Sequence, residues 1–414
     1  MGLFLYRLFN DRKLTNYLKV NIMSTYQTSA GAHGISKEGN ILASNYANRP
    51  DDERFDTLPE LIAFCNADSH NMTSRVIDTH SLNIVGEFDE SNISQGNLRV
   101  EYDCPKTGGS VISQPTNWSA GQLATLAGAP AGYIKDLPAP LAADCLTWGL
   151  RHNRGREIIK TYDHVDGGQL RAATGPDYGR ILNREMLAPV AKIAEAGQWK
   201  VPGSMVGYGQ STTYDPHAIT GSTLFASDRD MFGFLCDDLN PIEIGKLPNG
   251  EPDLVFRGFY WWNSEVGSKT AGLACMYLRG VCQNRNLWGV EGFQEIKIRH
   301  TKNAVHRFYD EMAPALETYS QNRTSDLLAG VAAAKSTKIA KDDDDRLEFL
   351  TKRAGLSARM ARAAMARHIV EEQKPVASVW DAAQAITAIA RDIPHQDQRV
   401  AIELKAGAIL DKVA

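Results

Sequence analysis

Phe256-Arg257-Gly258-Phe259-Tyr260-Trp261-Trp262 is a short aromatic run that reads as a β-strand, and it ends in Asn263-Ser264-Glu265 just before Gly267. A polar trio in that place either caps a following helix or rims a polar pocket. Working outward, Glu157–Tyr162 and Gln169–Ala173 flank Asp166-Gly167-Gly168, where glycine supplies the positive φ of a tight hairpin. Thr223–Ala226 and Met231–Cys236, joined by Ser227-Asp228-Arg229-Asp230, make a second hairpin, and Leu98, Val100 and Tyr102 alternate with Arg99 and Glu101 as a half-exposed strand. Helical spacing marks Met186, Leu187, Val190, Ile193 and Ala194 behind an Asn183 N-cap. Two short helices are expected around Gly128-Ala129-Pro130.

Beyond Ala304 the pattern is helical: an Ala-rich stretch to Lys335, then Ser357–Val370 and Trp380–Ala390 on either side of Pro375. The run Asp342–Asp345 is a solvated linker or the acidic first turn of a helix. The fold class expected is α/β of the α+β type, with a largely antiparallel mixed sheet core, flanking helices and an α-helical C-terminal region. The expected divisions are a flexible leader (1–56), an α+β core domain (57–303) and a helical C-terminal region (304–414). Residues 1–22 lack the grammar of a signal peptide and read as a flexible arm or an early start before Met23.

The 414 residues are 43% hydrophobic and 23% charged, which excludes a disordered chain and allows about two or three folding units. A net charge of -4 provides no general attraction to polyanions, so any such site is a local patch. Cys65, Cys104, Cys145, Cys236, Cys275 and Cys282 are dispersed without metal or redox spacing and read as reduced thiols of a cytoplasmic protein. No run reaches the roughly 20 apolar residues of a membrane span.

Familiar catalytic signatures are missing: there is no Walker A loop, no H-E-x-x-H, no G-x-S-x-G and no EF-hand loop. Asp228 and Asp230, with Asp237 and Asp238, could share a divalent cation across a hairpin or simply form a polar turn. The reading therefore assigns no catalytic residue, metal or cofactor. The densest feature is residues 257–307, where Arg257, Lys269, Arg279, Arg285, Lys297, Arg299, Lys302 and Arg307 are interleaved with Tyr260, Trp261, Trp262, Tyr277, Trp288 and Phe293. Single-strand binders pair phosphate-neutralising cations with stacking rings, which makes Arg257, Lys269, Arg279, Arg285, Trp288, Lys297 and Arg299 candidates for contacting single-stranded DNA. The competing reading buries the rings and solvates the cations. Separately, Phe349–Ser357 followed by Arg359, Arg362 and Arg367 has the outline of a helix-turn-helix, an outline shared by ordinary helical hairpins.

The stretch Trp261-Trp262-Asn263-Ser264-Glu265-Val266-Gly267-Ser268, with Leu278-Arg279-Gly280-Val281-Cys282-Gln283-Asn284, resembles the hallmark of a phage- and plasmid-encoded family catalogued as domain of unknown function 932. Gln122-Leu123 through Pro130, Tyr133, Leu137 and Pro138, then Arg171 through Tyr178 to Asn183, and Val379–Ala388 agree with it, so the resemblance covers most of the chain from about residue 80. Arg285 stands where many members have glycine. The resemblance implies a mobile-element protein of a bacterial cytoplasm and brings no established activity. The leading expectation is non-enzymatic nucleic-acid binding in phage or plasmid DNA metabolism, with single-strand binding or annealing as its form and a homo-oligomer compatible with it. The alternatives are an enzyme using Asn263, Ser264 and Glu265 with Asp228 and Asp230, or a regulatory, host-interacting protein using its helical C-terminus.

Overall fold

The computed structural model describes residues 53–55, 57–87, 98–103, 108–152, 155, 157–165, 168–195, 199–200, 224–237, 240–247, 250–279, 284–286, 295–321, 325–393 and 396–413. The 1–22 arm and nearly all of the expected leader lie outside the described residues.

β1 (Arg54–Phe55) leads into α1 (Leu58–His70), which starts where the Thr57 hydroxyl accepts the Glu60 amide at 3.3 Å. Four strands follow: β2 (Met72–Asp78), β3 (Asn83–Gly86), β4 (Leu98–Asp103) and β5 (Ser110–Pro115). After α2 (Asn117–Leu126), α3 (Ala131–Lys135) and α4 (Ala139–His152), the chain returns as the hairpin β6 (Ile158–His164) and β7 (Gly168–Thr174). These make a six-stranded sheet in the order β2-β6-β7-β5-β4-β3, antiparallel except where β5 meets β7. A parallel pair needs a long crossover, and α2 to β6 provides it. α4 buries Ala142, Ala143, Leu146 and Leu150 in one cluster with Ile84, Val100 and Leu170 of this sheet. Gly86 has room for no side chain there, since a Cβ would lie 2.1 Å from the Ala139 carbonyl oxygen.

α5 (Asn183–Ala194) precedes the second sheet, built from β8 (Trp199–Lys200), β9 (Leu224–Ala226), β10 (Met231–Asp237), β11 (Ile242–Lys246), β12 (Pro252–Asn263), β13 (Ala271–Arg279), β14 (Asn284–Asn286) and β15 (Glu295–Ile298), with β1 at its edge. Its nine strands pair antiparallel throughout, with β10, β12 and β13 at the centre. Side chains alternate along β12. Phe259 and Trp261 join α1 and α5 through Leu61, Cys65, Met186, Leu187 and Val190. Phe256 and Tyr260 join Phe232, Phe234 and Met276 on the opposite face. Burial on both faces explains why the sequence of β12 shows no polar alternation.

The remaining chain is helical. α6 (Ala304–Arg307) passes through a π-turn at Phe308–Met312 into α7 (Ala313–Gln321), and Phe308, Met312, Leu316 and Tyr319 cover the Phe259 and Trp261 face. α8 (Ser325–Ser336), α9 (Asp343–Glu348), α10 (Ala358–Glu372), α11 (Val379–Ala390) and α12 (Gln396–Leu410) then share a core around Trp380 and Ile386, which also takes in Ile242, Ile244, Val255 and Tyr277 of the second sheet. Asp342 caps α9 by accepting the Asp345 amide at 2.9 Å, so the acidic run is the first turn of a helix.

The α+β class and the helical C-terminal region are as expected, and both expected hairpins form. The single mixed core resolves into two sheets, one mixed and one antiparallel. Phe55 is buried in the second sheet's core although it falls within the expected leader, and residues 304–321 pack as part of that core. Among the described residues no helix is long and apolar enough to cross a membrane.

Candidate functional site

Asn263, Ser264 and Glu265 leave the end of β12 and enter the seam between the two sheets, where all three are buried. No helix follows them, so the expected helix cap is a turn. The Ser264 hydroxyl accepts the Val266 and Ser268 amides at 3.3 and 3.0 Å and donates to the Arg229 carbonyl at 2.7 Å. Gly267 completes the turn at φ 86°, a conformation glycine adopts without strain. Asn263 donates through Nδ2 to the Ile181 carbonyl and to Asn183 Oδ1, both at 2.8 Å. Glu265 accepts the Asn183 amide at 2.6 Å and the Tyr162 hydroxyl at 3.0 Å. Asn183 is thus the first residue of α5 and not its cap, with its backbone amide spent on Glu265.

The first sheet grips the same turn. Trp118 Nε1 and Gln122 Nε2 of α2 donate to the Val266 carbonyl at 2.9 and 2.8 Å, the Tyr178 hydroxyl to the Ser264 carbonyl at 2.9 Å, and Arg180 Nε to the Glu265 carbonyl at 2.9 Å. Arg171 of β7 reaches the β9–β10 turn through the Ser227 and Asp228 carbonyls and pairs with Asp68 at 2.5 Å. Residues from three separate stretches of the chain, Gln122, Arg171, Tyr178, Asn183 and Asn263–Gly267, therefore meet in one knot.

The knot is electrostatically unusual. Burial pushes the Glu265 carboxyl up, against the pull of Arg171, and pushes the Tyr162 and Tyr178 hydroxyls up as well. Arg180 lies over the Tyr162 ring with its guanidinium carbon 4.1 Å from the ring centre, and its Nη1 and Nη2 are buried without hydrogen-bond partners. His300, stacked on Tyr178, donates through Nδ1 to the Gly179 carbonyl at 3.0 Å, and burial lowers its pKa to about 4. At neutral pH the ring is uncharged and Nδ1 is the donor. Perturbed groups in a cluster point to function as often as to architecture. Here the Ser264 hydroxyl donates to a carbonyl and not to a base, and both Glu265 oxygens receive donors from the fold, so the arrangement holds two sheets together and offers no activated nucleophile. Asp230 binds inward, accepting Ser227 Oγ at 3.2 Å and pairing with Lys269 at 3.3 Å. Among the described residues no group of three or more His, Cys, Asp or Glu is placed to hold a metal.

The cationic candidates separate into three sets. Arg257 and Arg279 are buried: Arg257 donates to the Tyr319 carbonyl and covers its ring, and Arg279 forms a two-point pair with Asp253 at 2.8 and 2.9 Å and a second pair with Glu372. Both candidate cations are therefore buried and turned toward internal acceptors, not presented at a surface. Tyr260, Trp261 and Tyr277 are buried too. Trp288 and the side chain of Arg285 lie outside the described residues, with Arg285 placed only by its backbone pairing to Leu278. Lys297 and Arg299 are exposed at the β15 edge, and Lys269 is partly exposed with its Nζ 5.7 Å from the centre of the Phe232 ring.

Register brings the last set together with rings that composition could not single out. Phe225 pairs with Phe232, Phe232 with Trp262, Trp262 with Gly272, and Gly272 with Lys297. Residues directly opposite in a ladder share a face, so these five form one row across β9, β10, β12, β13 and β15. Phe225 stacks on Phe232 at 4.6 Å, and Trp262 lies flat over Gly272, where a Cβ would fall 1.9 Å from the indole. Phe225 and Trp262 are partly exposed. Comparison with protein-family models, curated proteins and solved structures finds no match to the chain.

Proposed function

We propose that the protein binds single-stranded nucleic acid without catalysis, serving mobile-element DNA metabolism as the family resemblance implies. The observation that carries this reading is the row Phe225, Phe232, Trp262, Gly272, Lys297: two partly exposed rings on one sheet face, with Lys269 at one ring and Lys297 at the end of the row. Bases stack on any accessible π-face at about 1–3 kcal/mol each, and Lys297 of β15 and Arg299 just beyond the strand are both exposed. The Ser264 hydroxyl donates to a carbonyl and both Glu265 oxygens accept from the fold, which favours this over an enzyme at that motif.

The test is a titration of the full chain with a labelled single strand at several salt concentrations. Trp262→Ala weakens binding by about 1–3 kcal/mol with the salt slope unchanged, and Lys297→Ala lowers the slope by about 0.7 with the denaturation midpoint unchanged. Binding that is absent at low salt, or untouched by both substitutions, overturns the reading.

A further inference from the structure

We propose that α9 and α10 form a helix-turn-helix that docks on duplex DNA, with Arg359 and Arg362 of α10 facing the groove. This site is separate from the aromatic row and does not depend on it. α9 runs through a π-turn at Phe349–Arg353 into the turn Ala354-Gly355-Leu356-Ser357, and α10 follows at once. The turn is built by its own residues. Gly355 takes φ 68°, Lys405 of α12 donates to its carbonyl at 2.5 Å, and Ser357 caps α10 by accepting the Met360 amide at 3.2 Å. Leu350, Ala354 and Leu356 before α10, and Ala361 and Ala364 within it, are buried in the core shared with α11 and fix the angle between the helices.

That packing leaves the opposite side of α10 bare. Ala358, Arg359, Arg362, Ala363 and Ala366 are all exposed, at the spacing of a single helical stripe. An ordinary surface helix of this length carries long polar chains on such a stripe. Here three of the five are alanines, which let the helix axis approach a groove closely, and the other two are arginines. The charge is distributed to match. Lys352 is paired with Glu348, Arg367 with Glu371, and Arg391 with Glu371, whereas Arg353, Arg359 and Arg362 have no carboxylate within ion-pair distance among the described residues. The cations left without acids are the one at the turn, which suits a phosphate, and the two on the first turns of the second helix, which is the part of such a motif that meets base edges. The acidic residues Asp342–Asp345 sit at the far end of α9, roughly 16 Å of helix from the turn, beyond about one Debye length at physiological salt.

The experiment titrates the full chain with a mixed-sequence duplex and with a single strand of equal length, each at two salt concentrations. Arg359→Ala with Arg362→Ala should weaken duplex binding by at least about tenfold, and Arg353→Ala should flatten its salt slope by about one, each leaving the melting midpoint and single-strand binding unchanged. Ala363→Glu, also on the bare stripe, should weaken duplex binding without unfolding the protein, and Arg367→Ala, whose guanidinium is already neutralised, should leave it intact. The proposal is overturned if the full chain fails to bind the duplex at low salt, if the double variant binds as well as the unmodified chain, or if Arg367→Ala is as damaging as the double change. Loss of single-strand binding alone in Lys297→Ala, with duplex binding retained, bears on the aromatic row and leaves this site standing.

Discussion

Replacing Arg279 by alanine separates an interior role from a nucleic-acid role in a single variant. The guanidinium is 4% exposed, and Asp253, its two-point partner at 2.8 and 2.9 Å, is 3% exposed, so truncation strands a carboxylate away from water. Breaking a buried pair from one side costs about 3–5 kcal/mol, most of it the uncompensated charge that remains. Glu372 of α10 loses its partner at the same time, which loosens the helical region from the end of β13. With a urea m value of about 3 kcal/mol/M, the denaturation midpoint should fall by about 1–1.7 M. Arg279→Met combined with Asp253→Leu removes both charges and should recover most of the loss, because a buried pair exchanged for apolar groups of similar volume is often neutral. Single-strand affinity, measured well below the midpoint, should match that of the unmodified chain. A stability within about 0.5 kcal/mol of the original together with weakened binding would refute the reasoning and return Arg279 to the surface.

Gly272→Ala places a methyl where the Trp262 indole lies and should cost about 1–3 kcal/mol while shifting Trp fluorescence, since overpacking forces the ring off its seat. His300 should titrate near pH 4 by NMR, and because its folded value lies below the unfolded value of about 6.5, the unfolded chain takes up the proton first. The protein should therefore lose up to about 3 kcal/mol as pH falls from about 6.5 to 4 and hold that stability above 6.5; a His300 resonance titrating near 6.5 would show a solvated ring. Tyr162→Phe deletes the hydroxyl that donates to Glu265 and should cost about 1–3 kcal/mol in a denaturation series, with no change in either nucleic-acid titration.

Local pattern was sufficient where a residue's role is set by its near neighbours. The run around Phe259 and the hairpin at Gly168 could be read from adjacent residues and both form, while for Asp342–Asp345 adjacent residues left a linker and an acidic first turn open and the structure shows the turn. Arg257 and Arg279 show the limit. Their acceptors lie 62, 26 and 93 positions away at Tyr319, Asp253 and Glu372, and a cation in a list carries no mark of the partner that folding will bring. The row from Phe225 to Lys297 was hidden for a related reason, since finding it requires the register of five strands at once. Asn263, Ser264 and Glu265 stood out as a helix cap or a pocket rim, and that they turn into the interior could not be read from their own stretch. That Gln122, Arg171 and Tyr178 belong with them needed the two sheets to be set against each other.

The seam between the sheets also sets an order of events during folding. Its bonds join residues distant in the chain, 144 positions for Gln122 to Val266 and 103 for Tyr162 to Glu265 and for Arg171 to Asp68. Several pairs within the sheets instead are hairpins that close over short loops, as β6–β7, β9–β10 and β12–β13 do. Long loops repay their entropy only when both ends are already rigid, so the seam closes after the sheets, and until then Glu265, Arg180 and Asp68 remain hydrated. Substitutions in the seam should therefore quicken unfolding while leaving the folding rate nearly untouched, and the seam should govern how long the native molecule persists once made.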